Sequence, residues 1–208
     1  MKNLIVFDVD GTIVDSVKSI MRCLTQASWK FGYRIEDITE FVGVLKLSQA
    51  LVKRGVRKED VEGILDEYRR CYMDTFTVDT KPVNGARDTM LKLQVANDLG
   101  ILTLKDIKLT EELIKTFFSG VNFKYTVCGD RPIQDKTDGL RLISEESGME
   151  KNRIYYVGDR AEDVRSAIEA GVNAVWASYG LGKKCDLAAD WKFLEIKEIK
   201  DLLSIFRQ

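Results

Sequence analysis

The sequence predicts an α/β protein whose core is a doubly wound parallel sheet, with a small α-helical subdomain inserted after the first strand. Short apolar runs of the kind that form buried parallel strands recur along the chain. Helix-like patterns separate most of these runs, and such alternation is typical of doubly wound folds. Residues 8–100 separate the first two runs, a stretch much longer than one crossover helix needs. An insertion is therefore expected there.

The individual elements follow from periodicity. The predicted strands are Leu4–Phe7, Ile101–Leu104, Tyr125–Cys128 and Ile154–Val157, with a fifth candidate at Val172–Trp176. The predicted helices of the core are residues 84–97, 110–118, 137–148 and 161–170. One face of a closing helix is predicted from Ile196, Ile199, Leu202, Leu203 and Phe206.

The insertion is predicted to be helical. Val61, Ile64, Leu65 and Tyr68 follow the i, i+3, i+4, i+7 spacing of a helix face, and Pro82 lies near the return to the core. We therefore divide the chain into a core of residues 1–15 and 80–208 and a helical subdomain of residues 16–79, named here the helical insertion.

Composition narrows the function. Lys and Arg total 32 against 33 Asp and Glu, so no net charge attracts nucleic acid or an anionic membrane, and a small diffusing substrate is expected. No apolar run approaches the roughly 20 residues of a membrane span. The four cysteines form no C-x-x-C pair, which argues against a zinc or redox motif. We expect buried thiols and a cytoplasmic protein.

The sequence contains no histidine. This excludes Ser-His-Asp and Cys-His nucleophile pairs, phosphohistidine chemistry and histidine-ligated zinc. Acid-base catalysis near neutral pH must then use carboxylates, lysines, tyrosines or cysteines, tuned by their surroundings or helped by a metal. Clustered aspartates are therefore the first candidates for a catalytic site.

Two aspartates, Asp8 and Asp10, directly follow the first strand, at the carboxyl end where open α/β sheets bind ligands. Extended backbone would direct both to one side, and Gly11 permits a sharp exit. Paired carboxylates repel a phosphate unless a cation is present, and Mg²⁺ prefers oxygen ligands. With Mg²⁺ bound, Asp8 can attack phosphorus, while Asp10 protonates the leaving oxygen and later deprotonates the attacking water. The alternative is that the Asp10-Gly11 dipeptide only forms a turn after the strand and has no catalytic role.

A second acidic segment follows the Ile154–Val157 run. Asp159 would complete the magnesium shell, and Asp163, one helical turn on, could bind the metal through water or orient its ligands. The alternative is that Asp159 is only a helix N-cap and that Asp163 complements the helix dipole.

Two further residues are candidates for binding phosphate. Thr103, late in the second predicted strand, offers a hydroxyl, and Lys136, in a loop after the third, offers a positive charge. Either residue type alone is more often structural or exposed. Both lie beyond parallel strands on the side of the sheet that carries the aspartates.

The order of these six residues along the chain resembles the order of the sequence motifs in the haloacid dehalogenase superfamily. The segment from Asp8 to Ser16 looks like its first motif, Ile101–Thr103 its second, Lys136 its third and Gly158–Asp163 its fourth. The insertion is similar to the helical cap subdomain of the subgroup that includes phosphoglycolate phosphatases.

The resemblance implies a nucleophile at Asp8, an acid-base at Asp10 and phosphate contacts from Thr103 and Lys136. It also implies Mg²⁺ held by Asp8, Asp159 and the Asp10 carbonyl.

Two departures from the family pattern occur. Leu104 replaces a frequent asparagine, and Asp138 follows Lys136 where a proline-containing stretch is usual. Asp138 would lie near Lys136 and compete for its charge.

The leading hypothesis is a magnesium-dependent phosphatase that hydrolyses a small phosphorylated metabolite, such as phosphoglycolate, through an aspartyl-phosphate. The alternatives are a phosphomutase or pyrophosphatase on the same scaffold, or a non-catalytic regulatory protein that retains the phosphate pocket. The sequence identifies no protein partner.

Overall fold

A computed structural model describes residues 2–206. The strands are β1 (Leu4–Phe7), β2 (Val14–Asp15), β3 (Lys81–Pro82), β4 (Asp98–Leu102), β5 (Phe123–Val127), β6 (Ile154–Gly158), β7 (Asn173–Ala177) and β8 (Leu194–Ile196). The α-helices are α1 (Val17–Lys30), α2 (Leu47–Lys53), α3 (Lys58–Asp79), α4 (Ala86–Leu93), α5 (Ile107–Phe117), α6 (Lys136–Ser147), α7 (Ala161–Ala170) and α8 (Leu202–Ile205).

Six of the strands form one sheet in the order β5-β4-β1-β6-β7-β8, and every neighbouring pair is parallel. The chain therefore starts at the centre of the sheet, builds one half outward and then crosses back to build the other. The boundary between β1 and β6 is the switch point, beside which ligands bind in open α/β sheets. The predicted fold class is confirmed.

Both faces of this sheet are covered, which explains why its strands are apolar runs rather than alternating patterns. Ile5 and Phe7 of β1 belong to one hydrophobic cluster, which includes residues of α4 and α5. Leu4 and Val6 point to the opposite face and belong to a second cluster, which includes residues of α6 and α7.

The helical insertion contains α1, α2 and α3, and α1 packs extensively on α3. The short antiparallel pair of β2 and β3 joins its two ends, with Val14 opposite Pro82 and Asp15 opposite Lys81. This pair brings the departing and returning chain side by side. The division of the chain into core and insertion stays a prediction.

Three local expectations differ from the structure. Thr103 lies one residue beyond the end of β4, and Lys136 is the first residue of α6 rather than part of a loop. Ile196 ends the edge strand β8, so the closing helix is shorter than its periodicity predicted. An apolar spacing of three and four residues fits both a helix and a strand followed by a turn, which explains the last error.

The expectation of four buried thiols is wrong. Cys23 of α1 and Cys71 of α3 form a disulfide with a sequence separation of 48 residues. Cys185 is exposed, and Cys128 alone is a buried thiol. The pairing joins positions that only tertiary packing brings together, so the spacing could not reveal it. No helix among residues 2–206 has the length and apolar character needed to cross a membrane.

Candidate active site

A tight turn follows β1 and shapes the entrance to the site. The amides of Thr12 and Ile13 both donate to the Val9 carbonyl, and Gly11 has a φ of 91°. A Cβ placed on Gly11 would lie 2.6 Å from Asp159 Oδ2. The turn therefore needs glycine both for its backbone conformation and for the close approach of the fourth motif.

Three buried carboxylates meet at the switch point. Asp8, Asp159 and Asp163 each offer an oxygen within 4.8 Å of the others. We call these three residues the acidic cluster. Lys136 Nζ lies 3.1 Å from Asp8 Oδ1 and 2.5 Å from Asp163 Oδ1. Three carboxylates thus face one ammonium group, which leaves an excess of negative charge.

Asp8 is the least satisfied member of the acidic cluster. Its side chain is 1% exposed, and neither carboxylate oxygen accepts a hydrogen bond from residues 2–206 apart from the ion-pair contact of Oδ1 with Lys136. Burial raises the pKa of Asp8 well above its usual range, Lys136 opposes the rise, and Asp163 and Asp159 add to it. Buried orphan oxygens next to two more carboxylates fit a hard divalent cation such as Mg²⁺.

Asp159 is held from two sides. Thr12 Oγ1 donates to Asp159 Oδ1 at 2.9 Å, and the Leu181 amide donates to Oδ2 at 2.7 Å. Burial, and after it the charge of Asp163, raises the pKa of Asp159 to about 6. The alternative that Asp159 is an N-cap is wrong, because Arg160 occupies the cap of α7 and its amide donates to Asp163 Oδ2 at 2.9 Å.

The loop after β7 closes over Asp159, a feature that the sequence reasoning missed. A Cβ on Gly180 would lie 2.2 Å from Asp159 Cβ, and one on Gly182 would lie 2.1 Å from the Asp159 carbonyl oxygen. Only glycine fits such approaches without displacement. The Gly-x-Gly pattern just beyond the fifth apolar run was the available signal.

Lys136 is fixed by the acidic cluster rather than by Asp138. Its side chain is 3% exposed. Burial alone would lower the pKa of Lys136, but Asp163 and Asp8 hold it above its usual value, so the ammonium stays charged. The Asp138 carboxylate instead accepts from the Gln134 amide and contacts Arg141. The expected competition by Asp138 is therefore absent from the described ion pairs.

Asp10 lies in different surroundings. Its Oδ1 accepts a hydrogen bond from Ser16 Oγ and lies 3.2 Å from Lys105 Nζ. Lys105 also lies over the Tyr72 ring, 4.5 Å from its centre. The Asp10 carboxylate is not part of the acidic cluster, whereas the Asp10 carbonyl oxygen and Asp8 Oδ2 lie 3.8 and 3.7 Å from a Cβ placed on Gly43. Nothing in the sequence distinguished Lys105 from the other lysines, because the burial of a single lysine leaves no sequence pattern.

A cavity of about 160 Å³ adjoins Asp10, between the core and the helical insertion. Thr103 lines it, and its hydroxyl accepts from the Lys105 amide at 3.2 Å. Gly43 of the insertion lines it too, and a Cβ there would lie 3.7 Å from Asp8 Oδ2. The structure thus brings Asp8, Lys136, Asp159 and Asp163 into direct proximity, with Asp10 and Thr103 on the adjoining cavity.

Comparison with known proteins identifies the family. A family model described as haloacid dehalogenase-like hydrolase matches residues 5–177. The chain belongs to this family. Phosphoglycolate phosphatase 1 of Pseudomonas aeruginosa is 27% identical to this hydrolase, over 98% of the chain and 79% of the relative. N-acetylmuramic acid 6-phosphate phosphatase of the same species is 22% identical, over 90% of the chain and 86% of the relative.

A solved structure gives the same fold. The hydrolase resembles a predicted phosphatase from Clostridium acetobutylicum with a TM-score of 0.85 and 22% identity, over 99% of this chain and 98% of that one. Together with the family match and the relatives, this confirms the prediction of an enzyme of the phosphatase type in the haloacid dehalogenase superfamily, similar to phosphoglycolate phosphatases.

Proposed function

We propose that this hydrolase is a magnesium-dependent phosphatase that cleaves a small phosphate monoester with the carboxylate of Asp8. The observation that carries the proposal is the pair of buried Asp8 oxygens without hydrogen-bond donors, beside Lys136 and the rest of the acidic cluster. An anionic nucleophile is reactive when no donor masks its lone pairs, and the excess of carboxylates calls for a cation.

The reaction would proceed in two half-reactions. An Asp8 oxygen attacks phosphorus, the bond to the leaving oxygen breaks, and Asp10 donates a proton to that oxygen. Water then attacks phosphorus of the aspartyl-phosphate, the bond between phosphorus and the Asp8 oxygen breaks, Asp10 takes up the proton of the water, and phosphate leaves. Asp10 suits this role because its carboxylate lines the cavity, where a leaving group has room.

Mg²⁺ would be held by Asp8, Asp159 and the Asp10 carbonyl, with Asp163 orienting Lys136 and the shell. Bound there, it would neutralise charge on the phosphoryl oxygens and so let one anion approach another. Lys136 would supply a second positive charge to the same group. The Thr103 hydroxyl, at the end of β4, would contact a phosphate oxygen.

The substrate class is proposed from the relatives and from size. The similarity to phosphoglycolate phosphatases suggests a phosphoglycolate-like ester. A cavity of about 160 Å³ suits a leaving group of a few heavy atoms. No protein partner is proposed.

The test is hydrolysis of phosphoglycolate, a panel of phosphorylated metabolites and p-nitrophenyl phosphate, each with Mg²⁺ and with a chelator. We expect release of inorganic phosphate that requires Mg²⁺ and disappears in Asp8→Asn. Asp190→Asn, an exposed aspartate outside the site, is the matched control and should retain full activity. Failure of the purified protein to hydrolyse any ester would refute the proposal in favour of a non-catalytic phosphate-binding protein.

The same assay separates the other chemistries. A phosphomutase would transfer labelled phosphate to a sugar product instead of releasing it, and a pyrophosphatase would act on pyrophosphate.

Location in the cytoplasm also stays a proposal. The Cys23–Cys71 disulfide removes the argument from reduced thiols, because disulfides persist mainly in oxidising compartments. Fractionation of the native host would locate the protein.

A further inference from the structure

We propose that Lys105 determines substrate specificity by binding a carboxylate on the leaving group, so that the preferred substrates are phosphate esters of small hydroxy acids. The proposal rests on the proposed phosphatase function and adds the residue that would select the leaving group.

Lys105 lies beside the part of the cavity where the leaving group is proposed to bind. Its side chain is 4% exposed, lines the cavity, and places Nζ 3.2 Å from Asp10 Oδ1. If Oδ1 of Asp10 shares a proton with the leaving oxygen at about 2.7 Å, Nζ is within roughly 6 Å of that oxygen, and it is within roughly 8 Å if Oδ2 shares the proton. A carboxylate one carbon removed from the leaving oxygen therefore comes within reach of the ammonium group.

The ammonium group has bonding capacity left for a ligand. Lysine carries three N–H donors. The Asp10 carboxylate and the face of the Tyr72 ring account for two of them. A third donor can be directed to a ligand in the cavity, because the side chain lines it.

The other charged residues that line the cavity are two cations, Lys46 and Arg69, and the carboxylates of Asp10, Asp106 and Asp130. Arg69 also lines the cavity, but its guanidinium already contacts three carboxylates, those of Glu62, Asp66 and Asp106. Lys46, from the helical insertion, is half-buried and forms no ion pair with residues 2–206, so it adds positive potential. Apolar side chains, including Phe41, Leu65 and Leu104, make up much of the remaining wall. An anion in such surroundings is stabilised by the ammonium groups of Lys105 and Lys46.

The test compares two esters that differ in the carboxylate, phosphoglycolate and ethyl phosphate. The measured quantity is the ratio of their kcat/KM values in wild type, Lys105→Met and Lys108→Met. Lys108 is the second residue of α5 and is exposed, so its variant is the matched control. We expect wild type and Lys108→Met to prefer phosphoglycolate by roughly 10- to 100-fold, and Lys105→Met to lose that preference. Thermal unfolding of each variant monitors folding.

A ratio of kinetic constants separates specificity from a structural role. If Lys105 only orients Asp10 or supports the fold, both esters lose activity equally in Lys105→Met, the ratio is unchanged, and the proposal is overturned. A wild-type enzyme that hydrolyses both esters equally well also overturns it, yet leaves the phosphatase function intact.

A binding experiment covers the remaining case, in which neither ester is hydrolysed and the proposed function itself fails. Calorimetric titration of Asp8→Asn with each ester, with and without Lys105→Met, then tests the same discrimination. Tighter binding of phosphoglycolate that depends on Lys105 supports the specificity role, and equal binding of the two esters refutes it.

Discussion

Asp8 and Asp10 follow the same strand, and each contacts a lysine whose side chain is almost fully buried. Lys136 lies 3.1 Å from Asp8, and Lys105 lies 3.2 Å from Asp10. Around Asp8, the two other carboxylates of the acidic cluster outweigh the single ammonium group. Around Asp10, one carboxylate faces one ammonium group, and the Ser16 hydroxyl donates to it.

The difference teaches that position in a motif does not set the role of a carboxylate. Asp8 has buried oxygens without hydrogen-bond donors, which favours nucleophilic attack and metal binding. The Asp10 carboxylate borders the cavity, which puts it within reach of a leaving group for proton exchange. Identical side chains two residues apart thus acquire separate functions from their neighbours.

The largest expected effects test these two roles by activity. Asp8→Asn removes the nucleophile and should lower kcat by at least about 1,000-fold. Asp10→Asn removes only acid-base assistance and should lower it by roughly 100- to 10,000-fold for a poor leaving group. For p-nitrophenyl phosphate, whose leaving group needs little protonation, Asp10→Asn should lower kcat/KM, which reports the first half-reaction, much less than Asp8→Asn does. Equal losses of kcat/KM for phosphoglycolate and p-nitrophenyl phosphate in Asp10→Asn would contradict the assignment.

The same two variants should change stability in opposite directions. In chelator, Asp8→Asn relieves repulsion within the acidic cluster and should raise the free energy of unfolding. Asp10→Asn leaves Lys105 buried without its carboxylate and should lower it by roughly 3–5 kcal/mol. Denaturant unfolding followed by circular dichroism measures both. Two changes of the same sign would show that the two regions do not differ in charge balance as described.

Sequence patterns predicted the fold well because each buried strand and each helix produces its own pattern of apolar residues within a short stretch of sequence. A four-residue apolar run such as Leu4–Phe7 is typical of a strand that is buried on both faces of a covered parallel sheet, and the alternation with helices favoured that class. The edge strand β8 and the disulfide escaped prediction. An edge strand needs no continuous apolar run, and a disulfide depends on helix packing across many residues.

The location of the six candidate site residues could be predicted because each lies on a segment that leaves the carboxyl end of a parallel strand. The residues that contact these six could not be predicted. Lys105, Tyr156 and Gly180 come close to Asp10, Asp163 and Asp159 only because separate segments of the chain meet near the switch point. Likewise, the separation of Asp10 from the acidic cluster depends on the turn at Gly11 and on Ser16, which period-two reasoning about extended chain ignores.

A smaller effect should appear in the pH dependence of stability without metal. The pKa of Asp159 is raised from 3.8 to about 6, so the folded state binds its proton more tightly than the unfolded state. This contribution is fully present below pH 3.8 and is lost as the pH rises through 6. In chelator, wild type should therefore lose on the order of 1–3 kcal/mol relative to Asp159→Asn across that window.

Saturating Mg²⁺ should remove this trend, because a cation favours the ionised carboxylate. Asp190→Asn, measured in parallel, should follow wild type. If wild type and Asp159→Asn respond identically to pH in chelator, the Asp159 carboxyl does not have the raised pKa that its surroundings indicate.

The smallest effect concerns the support of the acidic cluster. Tyr156 is 1% exposed, and its hydroxyl donates to Asp163 Oδ1 at 3.1 Å. Tyr156→Phe removes one donor but leaves Asp163 with Lys136 and the Arg160 amide, so we expect a loss of about 1 kcal/mol in unfolding free energy. Tyr155→Phe is the matched control, because the Tyr155 hydroxyl forms no hydrogen bond within residues 2–206. Equal losses of stability in the two variants would mean that the buried phenol does not support Asp163.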